Sequence, residues 1–146
     1  MMMKKRRIVL ILLGAKIHKT AKIYGRVKVY HPHKLVVGQY TTINEGVILN
    51  ASGEISIGNH VRISAGTIIN SGGLILEQNY VNRNHFVDPV LIKDGVWLGS
   101  GSIISPGVII NEGCIIGAGT VVTKSFEEFS LILGVPGRLI KFLPIE

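Results

Sequence analysis

The sequence is poor in cysteine and in aromatic residues. Its 146 residues include one cysteine, Cys114, and Phe, Tyr and Trp together make up 6%. A single cysteine excludes an internal disulfide, so a reducing, cytoplasmic compartment is the simpler interpretation. Scarce aromatics beside 47% hydrophobic residues indicate a narrow interior filled by Ile, Val and Leu. The length is that of one domain, which we predict to span residues 1–146.

Acidic residues are absent from the first 34 positions. Residues 1–34 hold ten Lys and Arg and no Asp or Glu, whereas residues 35–146 hold six bases and nine acids. This asymmetry indicates an anionic partner for residues 1–34. The apolar run from Ile8 to Leu13 is too short to span a membrane. We predict that residues 1–16 form a retained arm, which either caps the core or contacts an anionic membrane surface.

What the sequence does contain is a six-residue repeat. Between residues 98 and 124 an aliphatic residue recurs at every sixth position: Leu98, Ile104, Ile110, Ile116 and Val122. Six is neither a helical nor a strand period, and hexapeptide repeats are typical of parallel β-helices. One hexad cannot bury its aliphatic side chain alone, but stacked coils align these side chains into a core. The repeat extends back to Ile17, so residues 17–124 are predicted to form a β-helix.

The repeat is interrupted in ways that predict loops. Two residues are inserted at HPHK (31–34) and at ASGE (51–54). Allowing for these, Val37, Ile57 and Ile75 should lie one above another in coils of three hexads. Counting two hexads onward from Val81 places an aliphatic residue at position 93. The repeat instead resumes at Ile92, one residue early. Such a slip exchanges inward for outward side chains, so a loop is predicted at 85–89.

After Lys124 the pattern ends. The segment SFEEFSLIL is predicted to be a connector without repeats. Pro136 and Gly137 then precede RLIKFL, which we predict to be a short terminal helix with Pro near its start. Residues 125–146 would thus be a connector and a helix.

The stretch LGSGSIISPGVIINEGCIIGAGTVVTK, followed by GVPGRLIKFL at 134–143, resembles the hexapeptide-repeat acyltransferases, especially the sugar and antibiotic O-acetyltransferases. The resemblance implies an all-β, left-handed parallel β-helix, although the general rule for parallel crossovers predicts a right hand. It also implies acetyl-CoA as co-substrate without a metal, and a homotrimer with active sites between subunits. The implied acceptor is a hydroxyl of a sugar or glycan precursor, as in polysaccharide biosynthesis. No nucleic-acid partner is expected.

His85 is the candidate catalytic residue. Imidazole accepts a proton near neutral pH, and His85 falls in the repeat defect. The resemblance implies that the catalytic His lies in a loop upstream of a VW[IL]G segment, which reads Val96-Trp97-Leu98-Gly99 here. Many relatives have a longer loop and a His-Pro pair where this chain has His85-Phe86. Asp88 or a backbone carbonyl could orient the imidazole, and the sequence leaves both open.

The coenzyme site also follows from the resemblance. Small residues 18 apart, at equivalent positions of adjacent coils, would let a pantetheine arm lie against the backbone, and a backbone N–H there would stabilise an oxyanion. Basic residues near the last coil would meet the nucleotide phosphates. The residues implied for coenzyme binding are Ser100, Ala118, Thr123, Lys124, Arg138 and Lys141.

Other interpretations stay open. A serine acetyltransferase shares the repeat and the His, but its expected helical amino-terminal domain is missing. A hexapeptide-repeat carbonic anhydrase needs three His on zinc, which the His spacings fit poorly. A non-catalytic scaffold has no reason to keep VWLG, TK and GVPGR together. Cys114 stands at a repeat corner where Val and Thr stand in other hexads, which favours packing over a nucleophilic role.

Overall fold

The computed structural model describes residues 2–81 and 83–145, with side chains from residue 5 onward. One α-helix, α1 (Met2–Leu12), precedes a series of short strands. Most strands have two or three residues because the chain turns a corner after each hexad. A 3₁₀-helix (Pro32–Lys34) and an antiparallel hairpin interrupt the series.

The strands stack into three sheets that form the walls of a prism. The first sheet contains β1 (Lys16–Ile17), β4 (Leu35–Val37), β7 (Ile55–Ile57), β12 (Val90–Ile92) and β15 (Ile109–Ile110). The second contains β2 (Lys22–Ile23), β5 (Thr42–Ile43), β8 (Arg62–Ile63), β13 (Trp97–Leu98), β16 (Ile115–Ile116), β18 (Ser130–Leu133) and β19 (Arg138–Phe142). The third contains β3 (Lys28–Tyr30), β6 (Ile48–Asn50), β9 (Ile68–Asn70), β14 (Ile103–Ile104) and β17 (Val121–Val122). Except for β18 with β19, neighbours are parallel, as the hexads predict, and the architecture agrees with a left-handed β-helix.

The core is a set of aliphatic ladders, one for each wall. In the first sheet Val37, Ile57, Ile92 and Ile110 are aligned in register, and each is buried. Each such side chain contributes roughly 1.5–3 kcal/mol through burial. The prediction that Ile75 continues this ladder is wrong, because Ile92 pairs with Ile57 and Ile75 is only partly buried outside the prism.

A hairpin is inserted between the third and fourth coils. Strand β10 (Gly72–Leu74) pairs antiparallel with β11 (His85–Val87). The chain therefore leaves the prism at Gly72 and returns at β12, so the excursion is longer than the loop predicted at 85–89. Val81 is exposed, contrary to its expected place in the hexad register. Gly73 allows the hairpin to close, since a Cβ there would lie 2.8 Å from the Phe86 ring.

Two edges of the prism bear on function. The insertion edge, between the third and first sheets, comprises residues 31–34, 51–54, 71–89 and 105–108. The small-residue edge, between the second and third sheets, comprises residues 44–47, 64–67, 99–102 and 117–120. The insertions stack as predicted, because Lys34 donates to the Ser52 carbonyl at 2.7 Å and the Gly53 N–H donates to Ser71 Oγ at 3.0 Å.

The end of the chain differs from the prediction. RLIKFL contains a strand, β19, instead of a helix, and the predicted connector contains β18, which extends the second sheet beyond β16. The β18–β19 pair is antiparallel, with Ile132 opposite Leu139. Arg138 and Lys141 are three residues apart, a spacing that fits a helix, but the otherwise unpaired edge of β18 pairs with this segment and makes it a strand.

Helix α1 covers the other end of the prism. It contacts β1 and β2, and Leu10 packs against the buried core. The Arg7 guanidinium donates to the Lys19 carbonyl and ties the helix to the first coil. The predicted cap is therefore present, although Ile8, Val9, Ile11, Leu12 and Leu13 remain exposed. None of the described helices has the length and apolar character needed to cross a membrane.

Candidate active site

His85 lies on the hairpin that interrupts the repeat. It is the first residue of β11, opposite Leu74, and its side chain is exposed. No hydrogen bond joins its ring to any other residue in the described part of the chain. The ring is accessible, as a general base must be in order to meet an acceptor.

Asp88 follows the hairpin where the chain rejoins the prism. Its N–H donates to the Ser71 carbonyl at 2.8 Å, and its own carbonyl accepts from the Gly107 N–H at 3.1 Å. The carboxylate lies against Gly107, where an added Cβ would be 2.2 Å from Oδ2. Gly107 also has a φ of 76°, in the left-handed region. Asp88 thus fixes the base of the hairpin, and among the described residues its carboxylate forms no hydrogen bond with His85.

The VWLG segment begins the small-residue edge. Trp97, on β13, points out of the second sheet and is 48% exposed. Its indole N–H donates to Ser64 Oγ at 3.1 Å, which fixes the ring against the neighbouring coil. Trp97 thereby provides a flat apolar surface beside this edge.

Ser100 and Ala118 lie on the small-residue edge in adjacent coils. They follow the paired strands β13 and β16, and the Gly119 N–H donates to the Ser100 carbonyl at 2.9 Å. Both side chains are exposed, so the backbone here is open to a ligand. The N–H groups of Gly99, Gly101 and Ser102 are all engaged, whereas that of Ser100 has no acceptor among the residues described.

Three of the predicted coenzyme residues line one cavity of about 490 Å³. Thr123, Lys124 and Arg138 meet there with Phe126 and the Pro136–Gly137 turn. The Lys124 ammonium lies 5.5 Å from the centre of the Phe126 ring. Lys141 does not line this cavity and stands opposite Leu131 in the β18–β19 pair. The cavity brings two cations together, as a phosphate site requires.

A single chain does not bring these elements together. His85 belongs to the insertion edge, whereas Ser100 and Ala118 belong to the small-residue edge, with the third sheet between them. The hairpin pairs with itself instead of folding across that sheet. Within one chain, His85 and the small-residue edge therefore stay apart.

Cys114 is a packing residue. It is buried, and its thiol donates to the Glu127 carbonyl at 3.2 Å. Burial raises the pKa of the thiol above its ordinary value, which disfavours the nucleophilic thiolate. Within the described ranges, no three His, Cys, Asp or Glu side chains are grouped to hold a metal ion.

A groove of about 680 Å³ that no sequence motif predicts lies between the first and second sheets. His60 and Phe129 stand at its ends, with Gly95 and Gly113 between them. The signal in the sequence is the spacing of Tyr40 and His60, which are 20 residues apart like Val37 and Ile57, and in the structure the two rings stack at equivalent corners of successive coils. This groove lies away from both His85 and Ser100.

Comparison with known proteins identifies the repeat. Residues 89–124 match the family model described as bacterial transferase hexapeptide (six repeats). Over 98% of its length the chain superposes on 82% of a hexapeptide-repeat-containing acetyltransferase from Vibrio cholerae, with a TM-score of 0.89 and 25% identity. The chain therefore contains the hexapeptide repeat of bacterial transferases, and its structural neighbours are acetyltransferases.

Further solved structures are similar to this chain. It is 28% identical to a maltose O-acetyltransferase from Clostridium difficile, with a TM-score of 0.90 over 97% of this chain and 76% of that one. The Vibrio cholerae protein was also solved with acetyl coenzyme A, at 25% identity over 97% of this chain and 78% of that one, with a TM-score of 0.88. An N-acyltransferase from Bacillus cereus, in complex with dTDP and 3-hydroxybutyryl-CoA, is 25% identical over 93% of this chain and 87% of that one, with a TM-score of 0.70. No curated protein is significantly similar in sequence.

Proposed function

We propose that this acyltransferase moves the acetyl group of acetyl-CoA to a hydroxyl of a sugar or glycan precursor. The observation that carries the proposal is the exposed His85, held on the hairpin that is inserted between the third and fourth coils of the β-helix. The acetyl-CoA complex of the Vibrio cholerae protein and the likeness to a maltose O-acetyltransferase support the donor and the acceptor class.

His85 acts as the general base. Its imidazole accepts the proton of the acceptor hydroxyl while the oxygen attacks the thioester carbonyl. A C–O bond forms, and the tetrahedral intermediate collapses as the C–S bond breaks. The CoA sulfur leaves and takes up the proton that His85 held. The uncommitted Ser100 N–H is the group we assign to the oxyanion, because a preorganised donor is most effective where charge develops.

The coenzyme extends along the small-residue edge and ends at the basic cavity. Ser100 and Ala118 leave room for the pantetheine arm because their exposed side chains are short. Thr123, Lys124 and Arg138 receive the nucleotide phosphates in the cavity that they line. Lys141 keeps its proposed role as a further phosphate contact, from a strand outside that cavity.

A homotrimer completes the site, with the His85 hairpin of one subunit beside the small-residue edge of its neighbour. Two observations support this arrangement. The two halves of the site lie on different edges of one prism. The third sheet between them has outward-facing apolar side chains that are only partly covered, namely Ile48, Ile68, Ile103 and Val121.

The reaction is proposed to take place in the cytoplasm, with the trimer at the inner face of the membrane. Residues 1–34 hold ten bases and no acids, and the exposed apolar residues of α1 exceed what a cap requires. Basic residues near an anionic bilayer contribute about 1 kcal/mol each.

The test is an acetyl-transfer assay with purified protein, acetyl-CoA and a panel of free, nucleotide-linked and lipid-linked sugars. We expect CoA release that depends on a sugar and yields an ester, which is labile to mild base. An amide product would assign the protein to N-acylation, as in the Bacillus cereus relative. No transfer to any acceptor, with acetyl-CoA unbound, would favour the non-catalytic scaffold.

A further inference from the structure

A cleft of about 470 Å³ separates α1 from the first coil of the β-helix. Lys5 and Arg6 line it from the helix, and Arg26 and Lys28 line it from the coil. Its apolar lining comes from the helix and from the corner after β2, where Leu10 and Val27 pack against the core. We call this space the α1 cleft. It thus combines four cations with an apolar floor.

The cations do not stabilise the fold in this arrangement. Four like charges around one cleft repel one another, and Lys5 and Arg6 stand in the first turns of α1, where the helix dipole is itself positive. Residues 1–34 contain no acid to compensate. Glu45, which packs against Gly25 from the second coil, does not line the cleft. An anion in the cleft would relieve this repulsion and satisfy the dipole.

The surroundings indicate an anion attached to an apolar chain. Val9 lines the cleft and is 53% exposed, and Ile8, Ile11 and Leu12 are exposed on the same helix. A small soluble anion would gain nothing from these side chains. A phospholipid would place its phosphate among the cations and its acyl chains beside the apolar residues, in the manner of an interfacial helix.

We propose that the α1 cleft binds the phosphate headgroup of one anionic phospholipid and so docks each subunit on the membrane at a defined site. The proposal rests on the membrane contact stated above and deepens it from general attraction to a discrete site. A discrete site also orients the prism, since α1 covers one end of it.

The test compares two double variants of the full chain that remove equal charge from the first coil. Arg26→Gln with Lys28→Gln removes both cations from the coil side of the cleft. Lys16→Gln with Lys22→Gln removes two cations that are exposed outside the cleft. Binding is measured by flotation with vesicles of phosphatidylcholine alone or mixed with phosphatidylglycerol. General attraction predicts the same loss in both variants, up to about thirtyfold for two charges. A discrete site predicts a loss at least tenfold greater in the cleft variant.

A second pair tests the helix side. Val9→Asp puts a carboxylate in the cleft, and Ile8→Asp puts one on the neighbouring exposed position outside it. We expect Val9→Asp to weaken binding to phosphatidylglycerol vesicles more than Ile8→Asp does. Inorganic phosphate at matched ionic strength should not displace the protein, because it lacks the apolar part; displacement would identify a free-phosphate site and overturn the lipid assignment.

The outcomes separate this inference from the proposed function. Acetyl transfer to a soluble sugar should be unchanged in all four variants, because none alters the proposed catalytic or coenzyme residues. If the unaltered protein does not bind anionic vesicles, the proposed membrane contact is wrong and the inference fails with it. If it binds but both pairs of variants lose binding equally, the membrane contact stands and the cleft site is overturned.

Discussion

In the three sheets, equivalent positions of successive coils hold nearly the same residue, whereas along the insertion edge each coil holds a different segment. Ile57, Ile92 and Ile110 fill one ladder, but the insertion edge carries a 3₁₀-helix in one coil and the His85 hairpin in another. Burial permits little variation inside the prism, because each side chain must fit the one below it. The insertion edge faces solvent and is free to vary, and the candidate catalytic base, His85, lies there.

The largest expected effect is a loss of catalysis when His85 of the insertion edge is replaced. His85→Ala should lower turnover by roughly 10²–10⁴, the usual contribution of a general base. The side chain is exposed, so folding and acetyl-CoA binding should not change. Steady-state kinetics would measure the loss, with His33→Ala as the matched control, since His33 is an exposed histidine of the same edge. Near-normal turnover of a folded His85→Ala protein would remove His85 from the mechanism.

Substitutions of buried residues in the three sheets should instead change the free energy of unfolding. Ile104→Ala removes a fully buried side chain and should lower the free energy of unfolding by about 2–5 kcal/mol, because it leaves a cavity. Leu76→Ala, in the hairpin at 75% exposure, should change it by less than about 0.5 kcal/mol. Urea unfolding of both variants would show this. Equal losses would mean that the hairpin belongs to the cooperative core.

The basic cavity should give an intermediate effect on coenzyme binding. Lys124→Gln or Arg138→Gln should weaken CoA binding roughly tenfold, about 1.4 kcal/mol, because a charge-assisted contact to phosphate is lost. Dephospho-CoA, which lacks one phosphate group, should lose less. Lys141→Gln should have a smaller effect than either, since Lys141 lies outside the cavity. Calorimetric titration would test this, and equal losses for both ligands would show that the cations do not recognise that phosphate.

The smallest effect concerns pH and the buried thiol. Burial raises the pKa of Cys114 in the folded protein, so the unfolded chain ionises first, near pH 8.5. Stability is therefore fully present below that pH and falls as the pH rises toward the folded pKa. Cys114→Val, with the residue of the equivalent corner at Val108, should lose this dependence. Unfolding curves at neutral and alkaline pH that move in parallel for both proteins would contradict the assignment.

The repeat made the walls predictable but not the departures from them. Every buried hexad residue follows one rule, so β12 to β17 could be placed from the sequence. Ile75 fits the six-residue period but lies outside the β-helix. Gly73 pairs with Phe86 in a hairpin there, and a count of hexads does not reveal this hairpin. RLIKFL differs from its predicted helix for a similar reason, since its partner strand β18 lies in the segment that the sequence predicts to be a connector. The positions of His85 and Ser100 were predictable from motifs, but their separation on two edges required the structure.

The measurement that tests the shared site most directly is complementation between two inactive variants. His85→Ala removes the base, and Ala118→Trp fills the small-residue edge at an exposed position. In the proposed homotrimer, chains co-expressed with different tags and purified through both form mixed trimers with one intact site, made by His85 of an Ala118→Trp chain and the open edge of a His85→Ala chain. We predict that the mixed trimers regain acetyl transfer while each parent stays inactive. Mixed trimers as inactive as their parents would contradict a site built between subunits.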